Sequence, residues 1–190
     1  YFGEVAAEVA ELEPLIQRKP KPKDVETVTF TLGLLGQAYS AKDFVLARRS
    51  WNDSAQAMGE FHASYDFLLT PTMAVVPPKV GETMPGPLEI AILNVVNRLR
   101  AGRLLKLTGI VEKLALESMS KMPFTQLANM TGQPAMSVPL YWNEANIPIG
   151  VQFLAPNGRE DLLFRLAGQL ERVRPWAGKK PPLLNRSELV

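Results

Sequence analysis

Proline placement constrains this chain more than any other feature, because proline removes a backbone donor and breaks helix interiors. The 190 residues include 16 prolines, unevenly spread. None lies between Lys23 and Thr70, and none between Leu88 and Met122. Those two windows are where long helices fit. Tyr1 to Leu15 is acidic and amphipathic and predicts a helix ending near Pro14. Arg18 to Lys23 (Arg-Lys-Pro-Lys-Pro-Lys) reads as a solvated basic connector. Asp24 to Tyr39 predicts a helix weakened by Gly33 and Gly36.

The clearest helix start is Ser40-Ala-Lys-Asp43, which fits a capping box. Phe44, Trp51, Ala55, Met58, Phe61 and Tyr65 follow at helical spacing and predict one apolar stripe packed into a core. Phe67 to Thr70 is a short apolar run stopped by Pro71, the pattern of a buried strand. Thr70 to Pro87 is a proline-rich crossing. Leu88, Ile92, Val95 and Leu99 then open a helix, with Gly102 and Gly109 as breaks. Ala135 to Leu140 and Ile149 to Leu154 are two strand candidates, the second with Ile149, Val151 and Phe153 on one face. Asn157-Gly158 predicts a turn, and Arg159 to Val173 a last helix stopped by Pro175. Residues 183–190 form a polar tail. Helices interleaved with short apolar strands give an α/β class.

Composition removes several function classes. The chain carries 21 Lys+Arg, 19 Asp+Glu and a net charge of +2, too even a balance for nucleic acid or an anionic membrane as partner. No run approaches the ~18 apolar residues of a membrane helix. Zero cysteine excludes disulfide scaffolds, zinc–thiolate sites and cysteine nucleophiles, and suits a reducing, cytoplasmic compartment. Tyr1-Phe2-Gly3-Glu4 has no initiator methionine and no basic segment leading an apolar one. The expectation is a piece of a longer polypeptide, starting inside or just before a helix.

No complete catalytic set is visible in the residue types. His62 is the sole histidine and sits within a helix, so packing is the expectation over catalysis. One histidine and no cysteine leave a metal site dependent on carboxylates, and Glu4, Glu8, Glu11 and Glu13 fit a solvated helix face better. Ser118-Met-Ser-Lys121 matches Ser-x-x-Lys, a pattern short enough to arise by chance. Gly81 to Gly86 lacks the Lys-Ser/Thr of a phosphate loop. Arg98, Arg100, Arg103 and Lys106 spread around more than one helix face and read as solvated surface.

Four stretches in order carry a resemblance. Tyr65-Asp-Phe-Leu-Leu-Thr-Pro-Thr72 resembles a strand of the amidase signature family, and Pro123-Phe-Thr with Asn129-Met-Thr-Gly-Gln-Pro-Ala135 resembles its next segment. Ser137-Val-Pro139 with Ile147-Pro-Ile-Gly-Val-Gln152 resembles the family's strand pair. Gly158-Arg-Glu160, Leu162-Leu163 and Ala167-Gly-Gln-Leu-Glu171 resemble its closing helix, with Arg174-Pro-Trp176 and Pro181-Pro182 as its ending. The wording around Met136 to Trp142 looks most like the branch that includes 6-aminohexanoate cyclic-dimer hydrolases.

That resemblance implies the C-terminal portion of a single amidase domain over residues 1–190, in a mixed β-sheet flanked by helices. It implies amide hydrolysis without cofactor or metal, through a Ser–cis-Ser–Lys triad upstream of the matched stretch. No catalytic residue is therefore carried over. Thr70, Thr72, Met122, Phe124 and Asn129 are the implied substrate-binding positions. Alternatives stay open: packing for Phe124, a bond to loop backbone for Asn129, core packing for Trp51. In the amidotransferase A subunits of the same family an acidic residue stands near the position of Met122. An apolar residue there favours a hydrophobic or linear amide over free glutamine. The implied partners are a small amide and the N-terminal part of the same fold, with a homodimer as a further option. Competing readings are a non-catalytic binding or assembly module and a glutamyl-tRNA amidotransferase A-type subunit.

Overall fold

A computed structural model describes residues 1–109, 115–116 and 119–180. Ser118 of the Ser-x-x-Lys pattern, Pro181-Pro182 and the tail lie outside the described residues. The chain forms two compact units, Tyr1–Ser50 with Pro77–Ser120, and Trp51–Val76 with Lys121–Val190.

The first unit is helical. It holds α1 (Phe2–Ile16), a 3-10 turn (Pro22–Asp24), α2 (Thr27–Gly36), the first half of α3 (Ala41–His62), α4 (Pro87–Leu99) and α5 (Gly102–Leu107). Val5 and Val9 of α1, one turn apart, pack against Phe30 and Leu34 of α2. Glycine sets how close the backbones come. A Cβ on Gly36 would land on the carbonyl group of Phe2, and one on Gly102 on the Leu34 carbonyl. The glycines expected to weaken these helices are what lets them pack. Pro14 lies inside α1, which continues to Ile16 and ends on left-handed Gln17 (φ 55°). A proline in the last turns forfeits one helix bond without stopping the helix short of its end. The basic connector is partly structured: Arg18 Nη1 and Nη2 donate to the Asp24 carboxylate at 2.6 and 2.7 Å.

The capping box at the start of α3 forms as expected. Ser40 N–H donates to Asp43 Oδ2 at 3.0 Å and Asp43 N–H to Ser40 Oγ at 3.1 Å. These bonds hold the Asp43 carboxyl below its ordinary pKa, the backbone one first. The apolar stripe expected on α3 is a correction. Only Met58 of α3 is buried, and Phe44 and Tyr65 are exposed.

The second unit is built on a three-stranded sheet, β1 (Leu68–Pro71), β2 (Ala135–Trp142) and β3 (Pro148–Leu154), in the order β1-β3-β2. Both pairings are antiparallel, with a register irregularity between Pro139 and Tyr141. A mixed sheet was expected; among the described residues the sheet is antiparallel throughout, because each neighbouring pair of strands runs in opposite directions. β1 was expected as a buried strand. Among the described residues it is an edge paired only with β3, and Leu69 is exposed. Pro71 fits that edge, because it offers no ladder donor. The α6 helix (Thr125–Thr131) precedes β2, and α7 (Glu160–Val173) follows β3 through a turn at Gly158 (φ 73°). One sheet face is apolar: Val138, Phe153, Ala155 and Leu163 form its core, with Val151, Leu166 and Trp176 packed against it. Alternation along β3 places this face as the sequence predicts.

Candidate functional site

The opposite sheet face carries a polar row beside the buried Leu154. Strand pairing sets Thr70 beside Gln152 and Gln152 beside Ser137, so one row crosses all three strands. Gln152 is buried, and its Nε2 reaches Thr70 Oγ1 and the Phe124 carbonyl oxygen, each at 3.3 Å. One amide thus joins β1 to the residue that opens α6. Thr72 Oγ1 and Ser137 Oγ share a hydrogen bond of 2.6 Å. The Thr72 N–H donates to the Gly150 carbonyl at 3.0 Å, carrying β1's pairing one residue further. Gly150 has no room for a side chain: a Cβ would lie 2.6 Å from Ser137 Oγ and 2.7 Å from Thr72 Oγ1. The Ala74 N–H donates to the Lys121 carbonyl at 2.9 Å, tying the crossing after β1 to the segment that carries Met122 and Phe124.

Of the five expected site residues, Thr70 and Phe124 meet through Gln152, and Thr72 stands beside Ser137. Met122 is 41% exposed on the same segment as Phe124. Asn129 is exposed on α6 and makes no side-chain hydrogen bond among the described residues. Sequence reasoning missed Gln152 and Ser137. Their signal was there: once Val151 and Phe153 face a core, Gln152 and Gly150 must face the other way, and a glutamine beside glycine marks a close, hydrogen-bonded layer. Gln133 was missed too. It is buried, accepts from Thr131 Oγ1 at 3.0 Å and donates to the Ala155 carbonyl at 3.2 Å, fixing the turn between α6 and β2.

None of the residues in this row titrates near neutrality, so the row can bind and orient a neutral group but supplies no general base. His62 lies elsewhere, on an open cleft of about 290 Å³ lined by Ala55, Gly59, Gln133 and Asn157 among others. Its Nδ1 is 2.8 Å from the Tyr65 carbonyl oxygen, an acceptor, so Nδ1 carries a hydrogen. Nε2 is buried and has no partner among the described residues. Among the described residues no cluster of three or more His, Cys, Asp or Glu could hold a metal, and no helix is long and apolar enough to cross a membrane.

The Amidase family model matches residues 4–164. This chain belongs to the amidase family. Its 6-aminohexanoate-cyclic-dimer hydrolase relative from Pseudomonas sp. (strain NK87) is 36% identical over 130 residues, which cover 68% of this chain and 23% of that protein. A lipoamidase from Enterococcus faecalis is 31% identical over 159 residues, covering 82% of this chain and 21% of that protein. A solved structure of 6-aminohexanoate cyclic dimer hydrolase superposes with a TM-score of 0.76 at 28% identity, over 97% of this chain and 35% of that one. The chain therefore spans about a quarter of the length of these curated relatives. The polar row lies within the matched residues, except that nothing in it is a nucleophile held beside a base.

Proposed function

We propose that this amidase-family chain is the C-terminal portion of a single amidase domain, and that the whole protein hydrolyses a carboxylic amide to acid and amine in a reducing, cytoplasmic compartment. The observation that carries this reading is the neutral, hydrogen-bonding sheet face, built without a base, in a chain whose family model covers residues 4–164. Such a face suits an uncharged amide and leaves bond cleavage to groups outside the chain.

The chemistry is then divided. An upstream serine adds to the amide carbonyl, and its proton passes through a second serine to a lysine. The tetrahedral oxyanion collapses, and the proton returns to the leaving nitrogen as the C–N bond breaks. Water adds to the acyl-serine and frees the acid. Thr70, Thr72, Phe124 and Asn129 line the pocket wall, and apolar Met122 tilts it towards a hydrophobic or linear amide over glutamine. The names of the two relatives, a cyclic-dimer hydrolase and a lipoamidase, support an amide as substrate.

The test starts at the reading frame upstream of Tyr1. A lysine followed by a Gly/Ser-rich segment with two serines is expected, and the full polypeptide should release amine from aryl and alkyl amides. Serine-to-alanine exchange should abolish that release, while Phe124→Ala and Asn129→Ala should raise KM more than they lower kcat. A stop codon without such a segment ends the amidase reading for this gene product.

A further inference from the structure

The helix α4 is apolar on two opposite sides. Its inward side carries Ile90, Leu93 and Asn97, and Asn97 is 1% exposed. Asn97 Nδ2 donates to the Thr27 carbonyl at 2.9 Å, and its Oδ1 lies 2.8 Å from the Thr31 hydroxyl. Asn94 Oδ1 accepts from Thr27 Oγ1 at 3.0 Å. These bonds to α2 fix which way the helix faces. At about 100° per residue, Leu88, Ile92, Val95 and Leu99 fall on the side opposite Asn97. They are 73, 54, 58 and 70% exposed. Leu104 and Leu107 of α5 are exposed as well.

A helix with apolar residues on two opposite sides has a second face to cover, and an exposed apolar row of this kind marks an interaction surface. The buried Asn97 prevents the helix from turning the row inward, because that would strip its two hydrogen bonds to α2. The row is also no local addition: it lies inside residues 4–164, the span of the family match. The solved relative, which superposes over 97% of this chain, keeps 65% of its own length beyond the shared part.

We propose that the outward face of α4 (Leu88, Ile92, Val95 and Leu99) is the surface on which the remaining, upstream part of the same amidase domain packs. This rests on the reading of the chain as one portion of that domain. The occupant is a preceding segment of the same polypeptide, in preference to a second copy of the chain.

Absence of native cysteine from these 190 residues provides the probe. Val95→Cys, and separately Leu99→Cys, is placed in the 190-residue chain and in the full polypeptide, with any upstream cysteine changed to serine. Maleimide labelling is timed against Glu171→Cys, an exposed position on α7. In the 190-residue chain both sites should label as fast as the control. In the monomeric full polypeptide both should slow about tenfold or more, as for a site reached only through local opening. Fast labelling in a full polypeptide that still hydrolyses amides overturns the proposal and leaves the amidase reading standing. Protection that appears only as concentration rises assigns the face to a second copy and also overturns it. Protection in a monomer without amidase activity supports the docking and defeats the activity. Leu99→Cys keeps the test decisive if Val95→Cys fails to fold.

Discussion

The helical unit and the sheet unit close their cores in different ways. In the sheet unit, side chains do the work: Phe153 meets Phe67 edge-on at 6.4 Å and packs over α7 residues on one face of an antiparallel sheet. In the helical unit, the backbone does much of it, since Gly36 and Gly102 bring helices to carbonyl contact and Asn97 ties α4 to α2. Strand alternation leaves little freedom about which face is inside. A helix can bury any stripe, so there the polar anchors decide.

The largest effect should follow from Phe153→Ala, which empties the centre of the sheet core at a cost of about 4 kcal/mol. Hydrogen exchange would read the loss in β2 and β3 amides, with α1 and α2 keeping their protection. Equal loss in both would break the comparison and make the two cores one cooperative body. Gly36→Ala should come next, at about 3 kcal/mol, because its methyl meets backbone that cannot turn aside. Here α1 and α2 should lose protection first. Asn97→Ala should cost about 2 kcal/mol by removing two hydrogen bonds between α4 and α2, although the Thr31 hydroxyl keeps its bond to the Thr27 carbonyl. A cost near zero for Asn97→Leu would show that α4 is held by its apolar contacts, and the contrast between the units would narrow.

That contrast also explains what the sequence could show. The period of Ile149, Val151 and Phe153 named the buried sheet face, and the Ser40–Asp43 box named the start of α3, because both signals are local. The spacing of Leu88, Ile92, Val95 and Leu99 predicted a helix correctly but carried no sign of which side faces inward. Asn97, sixty-six residues from Thr31, decides that, and a contact so distant leaves no local trace. The α3 stripe misled for the same reason. At the candidate site, Thr70, Thr72 and Phe124 came from the family resemblance. Gln152, which joins two of them, was passed over because a polar residue on a strand ordinarily reads as solvated.

The smallest expected effect compares one ion pair from each unit. Arg18 grips Asp24 through two bonds, and the Lys21 N–H adds a third at 2.7 Å. Arg159 grips Asp161 through two, at 2.8 and 3.1 Å. The guanidinium hydrogen bonds are the first cause in both, and both carboxyls are held below their usual range. Asp24 should titrate the lower, since the Lys21 N–H adds a bond to its carboxylate beside those of Arg18, whereas Asp161 is 53% exposed and water screens its pair. A carboxyl whose folded pKa is depressed stabilises the fold above its unfolded pKa, about 3.9. That contribution fades as the pH drops from there towards the folded value. The stability gap between the native chain and Asp24→Asn should therefore stay constant from neutrality down to about pH 5 and shrink below it. Carboxyl-carbon NMR titration checks the order directly. An ordinary midpoint for Asp24 would mean that the connector between α1 and α2 is as solvated as its lysines and prolines first suggest.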